Sequence, residues 1–169
     1  MIAKLVGIKQ IVCGSVFIGA LAVVLIAQSA FATPISGVQT TSMAVGTFDE
    51  GFEAHSKTDT NEVELQAMGP TDVQILQNTI APGGTMGWMS HPGPSIVVIQ
   101  SGELTMYSAA DPTCAPQVYA AGTGFVMPTG DIHVVRNEGS VDAVVSVTSI
   151  IPKGANRRID EPDPGTCGF

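Results

Sequence analysis

Beyond residue 60 the chain alternates apolar and polar residues in short stretches, nearly every one closed by glycine or proline. Glu62 to Gln66 alternates and breaks at Gly69-Pro70. Val73 to Ile80 alternates again, with Val73, Ile75 and Leu76 competing for the inner face, before Pro82-Gly83-Gly84 predicts a turn. Ile96-Val97-Val98-Ile99 is β-branched throughout and too short for a helix, which predicts a strand buried on both faces or set in a barrel wall. Further strand-like stretches cover Leu104 to Tyr107, Val118 to Ala120, Phe125 to Met127, Ile132 to Arg136 and Ala143 to Ile151. No helical period persists past residue 32. Roughly eight or nine short strands with this punctuation predict an all-β barrel or jelly roll in one domain.

The ends of the chain read differently. Lys4 and Lys9 precede an uncharged apolar run from Ile11 to Ala27, and Ala30-Phe31-Ala32 follows as a small-x-small cleavage site. Residues 1–32 are therefore expected to be a signal peptide, with an uncleaved anchor formed by residues 11–27 as the alternative. Basic residues ahead of the apolar run place the rest of the chain on the exported side in both cases, secreted, periplasmic or extracellular. Residues 33–60 are rich in Ser, Thr, Gly and Ala and read as an extended N-terminal arm, in which His55 is a solvated residue. The barrel is expected over residues 61–151. Residues 152–169 form a strap whose Pro162, Pro164 and Gly165 argue against regular structure.

Charge narrows the partners. The 169-residue chain carries a net charge of −8. Without residues 1–32 it has five basic against fifteen acidic residues, a net charge of −10. No basic surface is available for phosphate contacts, so nucleic acid is not an expected partner, and an anionic membrane surface is disfavoured for the same reason. Of the three cysteines, Cys13 lies in the leader and leaves Cys114 and Cys167 as an even pair in the exported part. A disulfide between them is expected in an oxidising compartment. Neither has a CxxC partner or a histidine at zinc-site spacing.

Two patterns carry the chemistry. Gly83, Met89, His91, Ser95 and Gly102 stand at fixed intervals, and Gly122, Pro128, Gly130, His133 and Asn137 form a second set. The second set matches G-x5-P-x-G-x2-H-x3-N at every named position, and the first matches the spacing of G-x5-H-x-H-x3,4-E-x6-G. The chain thus resembles the cupin family, across residues from about 70 to 151, with a degenerate first motif. The resemblance implies a double-stranded β-helix of the RmlC-like type. It also places His91 and His133 at surviving metal-ligand positions, while Met89 and Ser95 replace a histidine and a glutamate. In a strand, Met89 and His91 share a face and Trp88 takes the other, where packing is its expected role. Gly122, Pro128 and Gly130 set where His133 emerges, Asn137 is expected to cap a turn, and Asp131 is either a turn residue or an orienting partner for His133.

Two neutral imidazoles, a thioether and a hydroxyl make a poor set for hard or borderline divalent ions, and only a soft copper ion suits two histidines and a methionine. The candidate pocket is accordingly Met89, His91, Ser95 and His133, with no tight metal expected and a weak divalent-metal or copper site as the alternative. The leading expectation for function is a secreted small-molecule-binding or structural protein. A metal-dependent oxidoreductase or isomerase with a His/Met ligand set is the second, and a metal-free epimerase-like enzyme using His91 or His133 as base is the third. The family resemblance further implies a homodimer.

Export predicts that the mature protein begins near Thr33. Intact mass of protein from the native host checks this, and a mass that retains residues 1 to 32 in the membrane fraction would establish the anchor instead.

Overall fold

The computed structural model describes residues 32–169; the expected signal segment, residues 1–31, lies outside the described residues. Eleven strands and no helix make up the described chain, in the order β1 (Ser36–Phe48), β2 (Gly51–Lys57), β3 (Glu62–Met68), β4 (Thr71–Ser90), β5 (Ser95–Ser101), β6 (Glu103–Ser108), β7 (Gln117–Ala120), β8 (Gly124–Met127), β9 (His133–Arg136), β10 (Ala143–Pro152) and β11 (Ile159–Asp160). β2 and β3 form a separate hairpin. The other nine join one sheet along the path β7-β6-β9-β4-β10-β5-β8, with β1 and β11 also paired to β4. All pairings are antiparallel, and the sheet curls into a nearly closed jelly-roll barrel.

β4 is the backbone of this arrangement. Its first half pairs with β1 and β10, from Thr71 to Ile80, and its second half pairs with β9 and β11, from Thr85 to Ser90. The Pro82-Gly83-Gly84 segment, expected to end a strand, instead bends a continuous one. Gly83 and Gly87 adopt φ of +75° and +68°, a region that favours glycine, and the β4–β9 register shifts between Thr85 and Trp88. A Cβ at Gly87 would stand 2.3 Å from the Thr33 carbonyl oxygen, so the close passage of the chain at Thr33 also requires glycine there.

The barrel interior is apolar. Leu76 and Ile80 of β4, Val97 and Ile99 of β5, Met127 of β8, Val135 of β9, and Val145 and Val147 of β10 pack in one cluster. Here Leu76, not Ile75, takes the inner face, with Asn78 and Ile80 on the same side, while Ile75 is exposed. The competition between Val73, Ile75 and Leu76 could not be resolved by local pattern, because alternation marks two faces and register against β10 decides which one is inward. The β-branched run is likewise buried on one face only. Val97 and Ile99 point in, and Ile96 and Val98 are exposed in the barrel wall.

A second, smaller cluster lies outside the barrel, where Trp88, Tyr107 and Val134 are covered by Cys167. Trp88 therefore packs on the face opposite Met89. Phe169 lies edge-on to Tyr107, with ring centroids 4.9 Å apart, and beneath the Arg136 guanidinium at 4.1 Å. Cys114 and Cys167 are bonded, with Cα atoms 5.4 Å apart. The C-terminal strap is not wholly irregular, since Ile159 pairs with Ser90 and Asp160 with Met89 to form β11. The Glu161 amide donates to the Trp88 carbonyl and the Ser90 hydroxyl to Glu161 Oε1. Residues 36–48, which show no apolar period, pair along β4 with both faces largely exposed, so no period was required of them.

The disulfide closes a separation of 53 residues, for which chain entropy gives up to about 4 kcal/mol. The Cys114→Ser/Cys167→Ser variant is expected to lose about 2–4 kcal/mol in urea unfolding. An unchanged midpoint would mean that the β11 pairing and the Trp88 cluster hold the strap unaided.

Candidate functional site

The site lies where the second half of β4 leaves the sheet. Met89 and His133 are register partners across β4 and β9, so their backbones are fixed side by side. His91 follows two residues after Met89 and comes against His133, with ring centroids 5.3 Å apart at a 47° tilt. The structure thus brings His91 and His133 together, with Met89 beside His133 in the β4–β9 register. All three are buried, the two histidines almost completely.

Each imidazole is held by its inner nitrogen. His91 Nδ1–H donates to the Arg157 carbonyl at 2.8 Å, and His133 Nδ1–H donates to the Asp131 carbonyl at 2.9 Å. Because a carbonyl only accepts, Nδ1 carries the proton in both rings and Nε2 presents a lone pair. Both Nε2 atoms are buried without a partner among the described residues. The Asp131 main chain, not its carboxylate, orients His133.

Ser95 is a different case. It faces the barrel interior with Val97 and Ile99, but its hydroxyl lies 2.8 Å from that of Ser149, and both residues are fully buried. It does not line the cavity beside His91. That cavity, of about 30 Å³, is bounded by Asn78, Met86, Met89, His91, Arg157 and apolar residues of the barrel wall. It has room for one or two water-sized groups. Asn137 is fully buried and ties the end of β9 to the barrel: its Nδ2 donates to the Ile80 and Val141 carbonyls, and its Oδ1 accepts from the Gly139 amide. It caps the turn that follows β9, as expected.

Sequence reasoning missed Arg157 and Arg158. The strap lays this pair across the barrel mouth, where Arg157 lines the cavity and Arg158 Nη1 meets the Met89 sulfur. Arg158 Nε donates to Asp160 Oδ1 at 2.5 Å, while its buried Nη2 has no partner. Two of the three arginines in an acidic chain stand side by side, ten and nine residues before Cys167. That local concentration of cation next to a tethering cysteine was the available signal.

Electrostatics follow from burial. Loss of water lowers the His91 pKa to about 4; the bond to the Arg157 carbonyl opposes this, and the nearby His133, Arg157 and Arg158 reinforce it. Burial also lowers His133, against the Asp131 carbonyl and carboxylate, with Arg158 adding to the depression. Arg157 is lowered as well, by burial and then by Arg158. The site therefore combines neutral imidazoles with cationic guanidinium.

A metal fits this set poorly. The two orphaned Nε2 atoms, with Nδ1 fixed to carbonyls, resemble the way proteins present ligand histidines. Against that, the third donor is a thioether already in contact with a guanidinium, no carboxylate is hydrogen-bonded to either imidazole, and a cation would meet the charge of Arg158. Among the described residues no group of three or more His, Cys, Asp or Glu side chains is placed to hold an ion.

The depressed His91 pKa makes the fold acid-sensitive. The unfolded chain binds a proton below about 6.5 that the folded site refuses until about 4, so this contribution is present above pH 6.5 and is lost as pH falls towards 4. The loss is about 3 kcal/mol by linkage. Urea unfolding from pH 7 to 4 should show a shallower pH dependence in His91→Gln than in the natural protein. Parallel curves would show that His91 titrates normally in the fold.

No curated protein matches the chain at a significant level. Among solved structures it is similar to a cupin superfamily protein from Desulfitobacterium hafniense at 15% identity, covering 72% of this chain and 84% of that one with a TM-score of 0.46. A cupin-like protein from Thermotoga maritima is similar at 18% identity over 54% of this chain and 65% of that one, with a TM-score of 0.47. An oxalate oxidase in complex with the substrate analogue glycolate aligns at 30% identity over 46% of this chain and 41% of its own, with a TM-score of 0.41. Residues 77–150 match the family model described as a cupin domain. That match spans most of β4 through most of β10 and includes Met89, His91 and His133. With both motifs placed on an antiparallel jelly-roll barrel, the chain has the cupin fold, and its match to the cupin domain covers residues 77–150.

Proposed function

We propose that this is an exported cupin-domain protein that binds a small molecule at the mouth of its barrel, with a degenerate metal site and no tightly held ion. The observation that carries the reading is the pair of buried, unpartnered Nε2 atoms on His91 and His133, of which His91 borders an apolar cavity that Arg157 also lines. Buried polar atoms without partners are costly, and a ligand that satisfies them gains that energy on binding. Export is supported by the leader-like residues 1–32 and by the Cys114–Cys167 bond, since disulfides persist in oxidising compartments. No helix among the described residues is long and apolar enough to cross a membrane.

A second reading is favoured by one specific feature. His91 and His133 pack ring against ring with Met89 as the β-register partner of His133, and two imidazoles with a thioether suit a soft copper ion. Under this reading the protein is a metal-dependent oxidoreductase or isomerase with an unusual ligand set.

Metal analysis of protein purified natively, without a histidine tag, separates the two. Well under one ion per chain, with a small organic molecule released on denaturation, supports binding; stoichiometric copper supports the second reading.

The degenerate site also has a constructive test. Met89→His adds a third imidazole between His91 and His133, and Arg158→Gln removes the neighbouring cation. Zinc affinity by calorimetry is expected to rise from the natural protein to Met89→His and again to the double variant. Equal affinities in all three would show that residues 89, 91 and 133 do not form a potential ion site.

A further inference from the structure

The β2–β3 hairpin stands outside the barrel sheet, and its register sorts its side chains onto two unlike faces. Residues directly opposite in an antiparallel pair share a face. Phe52 pairs with Ala67, Ala54 with Leu65 and Ser56 with Val63, which makes one face apolar and free of charge. Glu53 pairs with Gln66, His55 with Glu64 and Lys57 with Glu62, which makes the other face polar and charged. A sheet sorts its residues in this way when one side is covered. Here both sides are open: Gly51, Phe52 and Ala67 are half-buried, and every other residue of the two strands is exposed, Val63 and Leu65 included. A two-stranded hairpin alone is marginal in water, so the apolar face requires cover.

The barrel wall presents a second surface of the same chemistry. On its outward side Ile75, Thr148, Ile96 and Val126 stand in one row across β4, β10, β5 and β8. Ile75, Ile96, Val98 and Val126 are exposed there. β5, β8 and β10 contain no charged residue, and the one in the first half of β4, Asp72, is buried and bonded to Thr47 and the Gly154 amide. That is unusual in a chain with five basic against fifteen acidic residues beyond residue 32. The wall and the hairpin face are continuous. Phe48 ends β1 opposite Thr71, on the outward side with Val73 and Ile75, and its ring lies 4.9 Å from that of Phe52 at the foot of the hairpin. With strands about 4.8 Å apart and about 3.4 Å per residue, wall and hairpin together offer roughly 700 Å², close to the ~800 Å² that each partner gives to a standard interface. A face that needs no charge partner is complementary to itself, and two acidic copies repel least where neither presents a charge. We propose that the β2–β3 hairpin is the clasp of a twofold dimer, each copy laying its apolar hairpin face on the Ile75–Ile96–Val126 row of the other. The surface lies outside the barrel and is independent of what the barrel mouth binds.

Light scattering on the exported chain, with its disulfide intact, tests the clasp and is expected to give a dimer at micromolar concentration. Leu65→Asp on the hairpin and Ile96→Asp on the wall each put an unpaired carboxylate into the contact and should weaken dimerisation about tenfold or more. Both side chains are exposed in the single chain, so circular dichroism of each variant should match that of the natural protein. Mixing the two variants should recover part of the dimer, because one of the two hairpin–wall contacts is then intact. Hydrogen exchange adds a readout that a local role of Ile96 would not move: hairpin amides should lose protection in Ile96→Asp, and also when the natural protein is diluted. A natural protein that is monomeric, a dimer that both variants leave unchanged, or hairpin exchange indifferent to Ile96→Asp and to dilution would each overturn the proposal.

Discussion

The attachment of the C-terminal strap to the second half of β4 is the constraint on which the site depends. β11 pairs with Met89 and Ser90, the two residues that precede His91, so the strap and the motif strand are held in one register. The Arg157 carbonyl then reaches His91 Nδ1 and sets its tautomer, and the next residue places a guanidinium on Met89. Cys167 fastens the far end over Trp88. One segment thereby orients a histidine, supplies the local charge and closes the barrel mouth.

The magnitude of that charge decides what the site can hold. Two unit charges roughly 4 Å apart interact by about 4 kcal/mol at an effective dielectric of 20, and a divalent ion doubles the figure. A thioether contributes little to offset such repulsion for a hard ion, and the position that would bring a carboxylate is a serine bonded to Ser149. The same field that repels a cation attracts an anion. Burial keeps both imidazoles neutral, so their lone pairs remain available for hydrogen bonds at ordinary pH.

Several features were readable before any coordinates. Gly122, Pro128 and Gly130 mark the turns that deliver His133, and the two-residue step from Met89 to His91 puts both on one strand face. Trp88 packs on the opposite face, as a period of two requires. Other features were not readable. Ile75 and Leu76 are equally apolar neighbours, and only the pairing of β4 with β10 turns Leu76 inward. Gly83 and Gly84 signal a break, yet in a barrel the same conformational freedom bends one strand from one set of neighbours to another.

The amino-acid sequence by itself determined the strand-forming stretches, the turn positions and the histidine spacing, because each follows from local sterics and a short period. It also determined that the position of the family's carboxylate holds a hydroxyl. The partner of that hydroxyl, Ser149, is 54 residues away, and Arg157 and Arg158 come from a segment with no period at all. Their placement is decided only when the strap pairs with β4 and the disulfide closes. Contacts between distant segments carry no local signature, since they depend on sheet register and chain closure, and these are properties of the assembled barrel alone.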